Sequence, residues 1–202
     1  MKHDLKRALS ILRTGGVIAH ATETCYGFAC DIFNRRALAS LYKIKKMSRK
    51  KPVSIMVSSL VMAKKYGFFN QKALALAKKY WPGPLTIIVK RKSTLPKFLN
   101  TNTKTIGIRF PKHKLSQKLV KKFAYPLTTT SANISGLASP YSVSVIKKQF
   151  RNQKLKPDFI LDSGRLKKKL PSTVIDISGK TSKILRHGDI KLAQQNVFHH
   201  FC

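Results

Sequence analysis

Apolar residues recur along this chain first with a helical period and then with a strand period, and the two alternate almost to the end. Leu5, Leu9 and Leu12 share one helical face in "MKHDLKRALSILRTGG", charges lie between them, and Gly15-Gly16 stop the helix. "VIAHA" (17–21) reads as a short buried strand leading into the polar turn "TETCYG". "RRALASLYKIKK" then returns as a helix with Ala37, Leu38, Leu41 and Ile44 on one side. "PVSIMV", "PLTIIVKR", "TIGIRF" and "YPLTTT" read as strands. "QKALALAKKY", "KLSQKLVKKF" and "SVSVIKKQF" read as helices, the last N-capped by Ser142, whose oxygen can accept an orphan backbone N–H. Near the end, "DFILD", "STVIDI" and "KILR" are short β-rich runs that suit an antiparallel or mixed sheet better than further crossovers. The pattern predicts one α/β domain over residues 1–202, a twisted mixed parallel and antiparallel sheet with flanking helices, and neither repeats nor linkers.

Charge changes this picture. Lys and Arg number 41 against 7 Asp and Glu, a formal net charge of +34, so an anionic partner is expected: nucleic acid, nucleotide or anionic lipid. A merely solvated basic face is the alternative. No apolar run approaches the roughly 18 residues that a membrane span needs. The three cysteines lack CxxC spacing, which argues against a zinc knuckle or disulfide framework and for a reducing, cytoplasmic setting. His199-His200 beside Cys202 sit too near the terminus for a defined metal site, and no structural metal is predicted.

The chemistry is defined partly by what is missing. Glu23 is the one glutamate, and HExxH, GxSxG, GxGxxG and GxxxxGK[ST] do not occur. Positioning of substrates and neutralisation of phosphate charge are therefore favoured over a nucleophile with its own base. Polar clusters fall at or just after strand ends, where open α/β sheets place ligands. "TTTSANISG" (128–136) suits either a hydrogen-bonded turn or a hydroxyl rim around phosphate oxygens. "KKMSRKKP" (45–52) suits either a solvated helix end or a phosphate clamp. Arg109, bracketed by apolar residues, either pairs with a buried acid or recognises a ligand carboxylate, and in a chain poor in acids the ligand is favoured. His20 is read as a hydrogen-bonded structural residue and Trp81 as packing on a turn.

Read together, "ATETCYGFACD", "LYKIKK…KKPVSIMV", "YWPGPLTIIV", "TIGIRFPKH", "PLTTTSANISGLASP", "STVIDI" and "ILRHGDI" occur in the order of the signature segments of the YrdC-like family. The resemblance runs from about residue 10 to about residue 190. It implies a threonylcarbamoyl-AMP synthase that joins L-threonine, bicarbonate and ATP, accompanied by Mg2+, and releases pyrophosphate. The product would pass to threonylcarbamoyl-transfer proteins for tRNA modification. It also implies a basic concave face. Carried onto matching positions, L-threonine would be held by Thr22, Arg109, Thr129 and Ser172 with Tyr26 as a wall. ATP would be held by Lys45, Arg49, Thr105, Ser131, Asn133, Ser139 and Arg186, with Lys45 and Arg186 as the catalytic cations. Met47 and Ser48 stand where the family pattern has Arg and Pro, with Arg49 as the expected substitute charge. Two other readings remain open: a YciO-type paralogue of weak activity, and a module binding tRNA or double-stranded RNA without catalysis.

Overall fold

The computed structural model describes residues 2–192, so His199, His200 and Cys202 lie outside it. Its helices are α1 (Lys2–Arg13), α2 (Arg35–Ile44), α3 (Leu60–Tyr66), α4 (Gln71–Tyr80), α5 (Lys114–Phe123) and α6 (Val143–Phe150). Its strands are β1 (Ile18–Ala21), β2 (Tyr26–Ala29), β3 (Ser54–Met56), β4 (Gly67–Phe68), β5 (Leu85–Arg91), β6 (Thr105–Arg109), β7 (Leu127–Ser131), β8 (Phe159–Leu161), β9 (Thr173–Asp176) and β10 (Lys183–Arg186). Asn34, Ser59, Asn70 and Ser142 each stand in extended backbone at a helix start. Each accepts from the N–H three residues on, which satisfies a donor the helix cannot. Ser142 is thus the cap that the sequence predicts.

All ten strands form one sheet in the order β10-β9-β5-β6-β3-β7-β2-β1-β8, with β4 pairing the end of β5. The pairs β1·β8, β3·β6 and β5·β9 are parallel and the rest antiparallel, which makes the sheet mixed as predicted. Both faces are covered. On β1, Ile18 joins a cluster with Leu9 and Leu12 of α1 and Leu119 and Phe123 of α5, whereas Ala19 and Ala21 join a larger one with Leu41 of α2 and Ile146 of α6. Alternation along a strand that is buried on both sides produces this division. His20 is fully buried on the α5 side, its Nδ1 3.1 Å from Ala21 O and 3.2 Å from Ser116 Oγ.

The structure departs from the predicted elements in two respects. The "TETCYG" turn is followed by an unforeseen strand, β2, which pairs antiparallel with β1, and α3 with β4 fills the stretch between β3 and α4. The three terminal runs also do not stay together. β8 pairs parallel with β1 at one edge while β9 and β10 lie at the other, because β9 pairs parallel with β5. Crossover connections thus extend further toward the C-terminus than the sequence pattern indicates. Among the described residues no helix is long and apolar enough to cross a membrane.

Candidate active site

A polar cavity of about 230 Å³ opens where strand ends and loops from distant parts of the chain meet. Thr22 arrives just after β1, Arg109 at the end of β6, Thr129 and Ser131 along β7, Ser139 beyond it, Ser172 just before β9 and Arg186 at the end of β10. These seven residues, named by resemblance from separate segments, line one hollow. Register explains part of the convergence: Arg109 sits opposite Thr86 on β5, Ser54 opposite Thr129, and Gly27 opposite Ser131. Gly188 lets the segment after β10 approach the backbone of Pro171 and Ser172, where a Cβ would collide with Pro171 O.

Arg109 has a partner that the sequence reading did not anticipate. Its Nη2 donates to Glu23 Oε1 at 2.9 Å and to Thr24 Oγ1 at 3.1 Å, and both side chains of the ion pair are largely buried. Few as the acids of this chain are, Glu23, in the turn after β1, supplies a carboxylate, so Arg109 does pair with a buried acid. Burial alone would push the Glu23 carboxyl up, but the Arg109 charge, its hydrogen bond and backbone N–H donors outweigh burial and hold it below its usual range. Glu23 is not among the lining residues, so it holds Arg109 from outside the cavity, and Arg109 Nε remains a buried donor without a partner among the described residues.

The other half of the site is built around Lys45, the C-cap residue of α2, which is 5% exposed. Its Nζ donates to Asn133 O and Asn133 Oδ1, both at 3.1 Å, and to the backbone oxygen of Ser131, with Ser131 Oγ at 3.3 Å. All of these acceptors are neutral. Burial, offset in part by nearby Cys25, lowers the Lys45 ammonium to about 8. Asn133 is fixed in turn by donating from Nδ2 to Ile134 O and Leu137 O, so the "SANISG" loop is both a hydrogen-bonded turn and a cavity rim. Across the cavity, Arg186 donates from Nε to Ser172 O at 3.0 Å and from Nη2 to Ser172 Oγ at 2.8 Å. Ser172 Oγ also lies 3.1 Å from Thr86 Oγ1.

Five residues assigned by resemblance lie outside this lining. Lys45 and Asn133 adjoin it through the hydrogen bonds of Lys45 to Ser131, which does line it. Tyr26 is fully buried on β2 and does not form a wall. Its hydroxyl donates to Gly164 O at 2.7 Å and accepts from Ser163 N at 2.9 Å, so it anchors a loop. Thr105 begins β6, four residues before Arg109, and strand rise puts roughly 13 Å between them. Arg49 lines a separate hollow with Arg35, Tyr42 and Phe98. Met47 packs against the larger apolar cluster. Conversely, Thr86, Thr24, Ser54 and Cys25 line the cavity without having been singled out. The threonine inside the apolar run of "PLTIIV" was the available signal for Thr86. Burial pushes the Cys25 thiol up, so it is held as a weak nucleophile.

The lining is free of carboxylates, rich in hydroxyls and carries two arginines, a composition that suits anions. The Sua5/YciO/YrdC family model, described as telomere recombination, matches residues 10–188, and the chain belongs to this family. A Methanocaldococcus jannaschii protein, provisionally named a threonylcarbamoyl-AMP synthase, is 35% identical over 195 residues, covering 95% of this chain and 90% of its own length. The Pyrococcus abyssi Sua5 structure complexed with L-threonine superposes with a TM-score of 0.87 at 28% identity, covering 93% of this chain and 55% of that protein. Escherichia coli YciO superposes with a TM-score of 0.83 at 29% identity, covering 93% of this chain and 90% of YciO. The chain thus spans nearly all of the shorter relatives and about half of the Pyrococcus abyssi protein.

Proposed function

We propose that this chain is an L-threonylcarbamoyladenylate synthase, a nucleotidyltransferase acting on L-threonine, bicarbonate or CO2, and ATP. The observation that carries the reading is the buried ammonium of Lys45, held only by neutral oxygens of Asn133 and of Ser131, which lines the same cavity as Arg109. A cation without a protein counter-ion calls for an anion of the substrate, here the α-phosphate. Arg109, oriented by Glu23, takes the threonine carboxylate with its remaining donors, and Thr129, Thr86 and Ser172 supply hydroxyls for the polar groups.

The same electrostatics activates the amine. With Arg109, Arg186 and Lys45 near and no carboxylate in the lining, an ammonium is disfavoured and the neutral amine, the nucleophilic form, predominates. The amine nitrogen bonds to the carbon of CO2 and releases a proton to solvent; with bicarbonate the C–OH bond breaks and the amine proton leaves with that hydroxide as water. A carbamate oxygen then bonds to the α-phosphorus while the bond from that phosphorus to the bridging oxygen breaks, and its electron pair leaves with pyrophosphate. No covalent enzyme intermediate is needed. Alignment of the two reactants contributes up to about 7–11 kcal/mol in well-ordered systems. Lys45 and Arg186 neutralise the charge that gathers on the phosphate.

Mg2+ enters the proposal as a companion of ATP. Among the described residues no group of three His, Cys, Asp or Glu is placed to hold a metal, and Glu23 is committed to Arg109, so phosphate oxygens would be its ligands. When bound, it supplies further neutralisation of the triphosphate. Delivery of the product to threonylcarbamoyl-transfer proteins acting on tRNA, in the cytoplasm, completes the proposal.

The test is pyrophosphate release from ATP. Release that requires threonine and bicarbonate together supports the reading, and a folded protein that shows no threonine-dependent turnover refutes it. Met47, half-buried where the family pattern places an arginine, favours a second reading, a YciO-type protein of weak activity. A threonine-dependent rate that is measurable but far below that of a relative assayed in parallel would select it.

A further inference from the structure

The family pattern loses a phosphate cation at Met47, and Arg49, the nearest substitute in sequence, lines a different hollow. Another source of charge adjoins the cavity at Ser139. Ser139 is shared between the 230 Å³ cavity and a second, wider hollow of about 570 Å³, lined by Tyr141, Ser142, Arg165, Lys167 and Lys168. The three cations belong to the strap between β8 and β9, and they point to no described acid through an ion pair. The strap is pinned at several points. Tyr26 hydroxyl accepts from Ser163 N and donates to Gly164 O, Leu166 N donates to Tyr141 O at 2.8 Å, and Tyr141 hydroxyl donates to Lys169 O at 2.9 Å. Gly164, at φ +74, permits the turn that starts it.

We propose that this strap forms the polyphosphate subsite: Arg165, Lys167 and Lys168 receive the β- and γ-phosphates of ATP, passed beyond Ser139, and hold the pyrophosphate until it leaves. The proposal rests on the synthase reading and assigns to the strap the charge that Met47 lacks. Three facts argue for phosphate as the occupant. The hollow shares the lining serine Ser139 with the cavity, its cations are exposed and clustered, and its wall includes the hydroxyl-capped start of α6.

The experiment compares the wild type with the triple variant Arg165→Ala, Lys167→Ala, Lys168→Ala. A control of equal charge, Lys118→Ala, Lys121→Ala, Lys122→Ala on α5, accounts for the loss of net charge. Direct calorimetric binding of pyrophosphate and of adenosine is measured alongside KM for ATP and for threonine. The strap variant should bind pyrophosphate at least about tenfold more weakly and show a similarly raised KM for ATP, with adenosine binding and KM for threonine unchanged. The control should move all four by less than about threefold. Unchanged pyrophosphate binding, equal loss in the control, or loss of adenosine binding instead would each overturn the assignment. Should the wild type show no threonine-dependent turnover, the pyrophosphate titration still decides the strap, so failure of the synthase reading and failure of the subsite remain distinguishable.

Discussion

The two halves of the cavity hold their cations differently. Arg109 is balanced by a protein carboxylate, Glu23, at 2.9 Å, whereas Lys45 is equally buried but faces only carbonyl, amide and hydroxyl oxygens. One half is close to neutral and the other carries uncompensated positive charge. The difference suits the two substrates of the proposed synthase: an amino acid needs one well-aimed guanidinium, while a triphosphate needs charge that nothing else has already satisfied. The half that is costly to build is the one proposed for phosphate, because burying an ammonium without a counter-ion opposes folding until an anion arrives.

The largest effect that probes this contrast is on stability. Arg109→Ala leaves Glu23 buried and unpaired, and denaturant melts should show a loss of about 3–5 kcal/mol, whereas Lys45→Met removes a desolvated charge and should leave the midpoint unchanged or raised. Equal destabilisation by both would erase the distinction. Next is catalysis. Lys45→Ala should lower kcat by a factor of about 10²–10³, corresponding to about 2.7–4 kcal/mol if Lys45 acts as an oxyanion-type donor. With its ammonium near 8, the rate in free enzyme should fall as pH rises through that value, up to about tenfold per unit. Bound ATP, by favouring the charged form, should shift the limb of kcat upward relative to that of kcat/KM.

A third effect concerns the Arg109 half and its surroundings. Burial lowers His20 from 6.5 to about 4, so the folded state holds it neutral while the unfolded chain protonates it. Between those two values the unfolded state binds more protons, and stability is lost as pH falls from about 6.5 toward 4. The loss amounts to roughly 3 kcal/mol at about 1.36 kcal/mol per pKa unit. His20→Gln should flatten that acid limb in melts followed from pH 7 to pH 4, and an unchanged slope would mean another group is responsible.

Much of this was legible in the sequence because the signals are local. The periods of Leu5–Leu9–Leu12 and of Ala37–Leu38–Leu41–Ile44 specify amphipathic helices, and Ser142 announces its own cap. β2 was not legible, because Tyr26–Ala29 is buried at every position and gives no alternation to read. The seven lining residues were reached through ordered motifs, not through propensity. What sequence could not supply was pairing over long separations. Arg109 meets Glu23 across 86 positions and Tyr26 meets Gly164 across 138, and both contacts depend on the sheet order. Thr105 shows the converse. It adjoins Arg109 in the same short motif, yet an extended backbone carries it away from the cavity.

The most direct test of a cavity divided in this way is separate calorimetric titration of threonine and ATP into Arg109→Met and Lys45→Met. A crossed result is expected, with threonine binding lost and ATP binding kept in the first variant and the reverse in the second. Parallel loss of both ligands in both variants would contradict it.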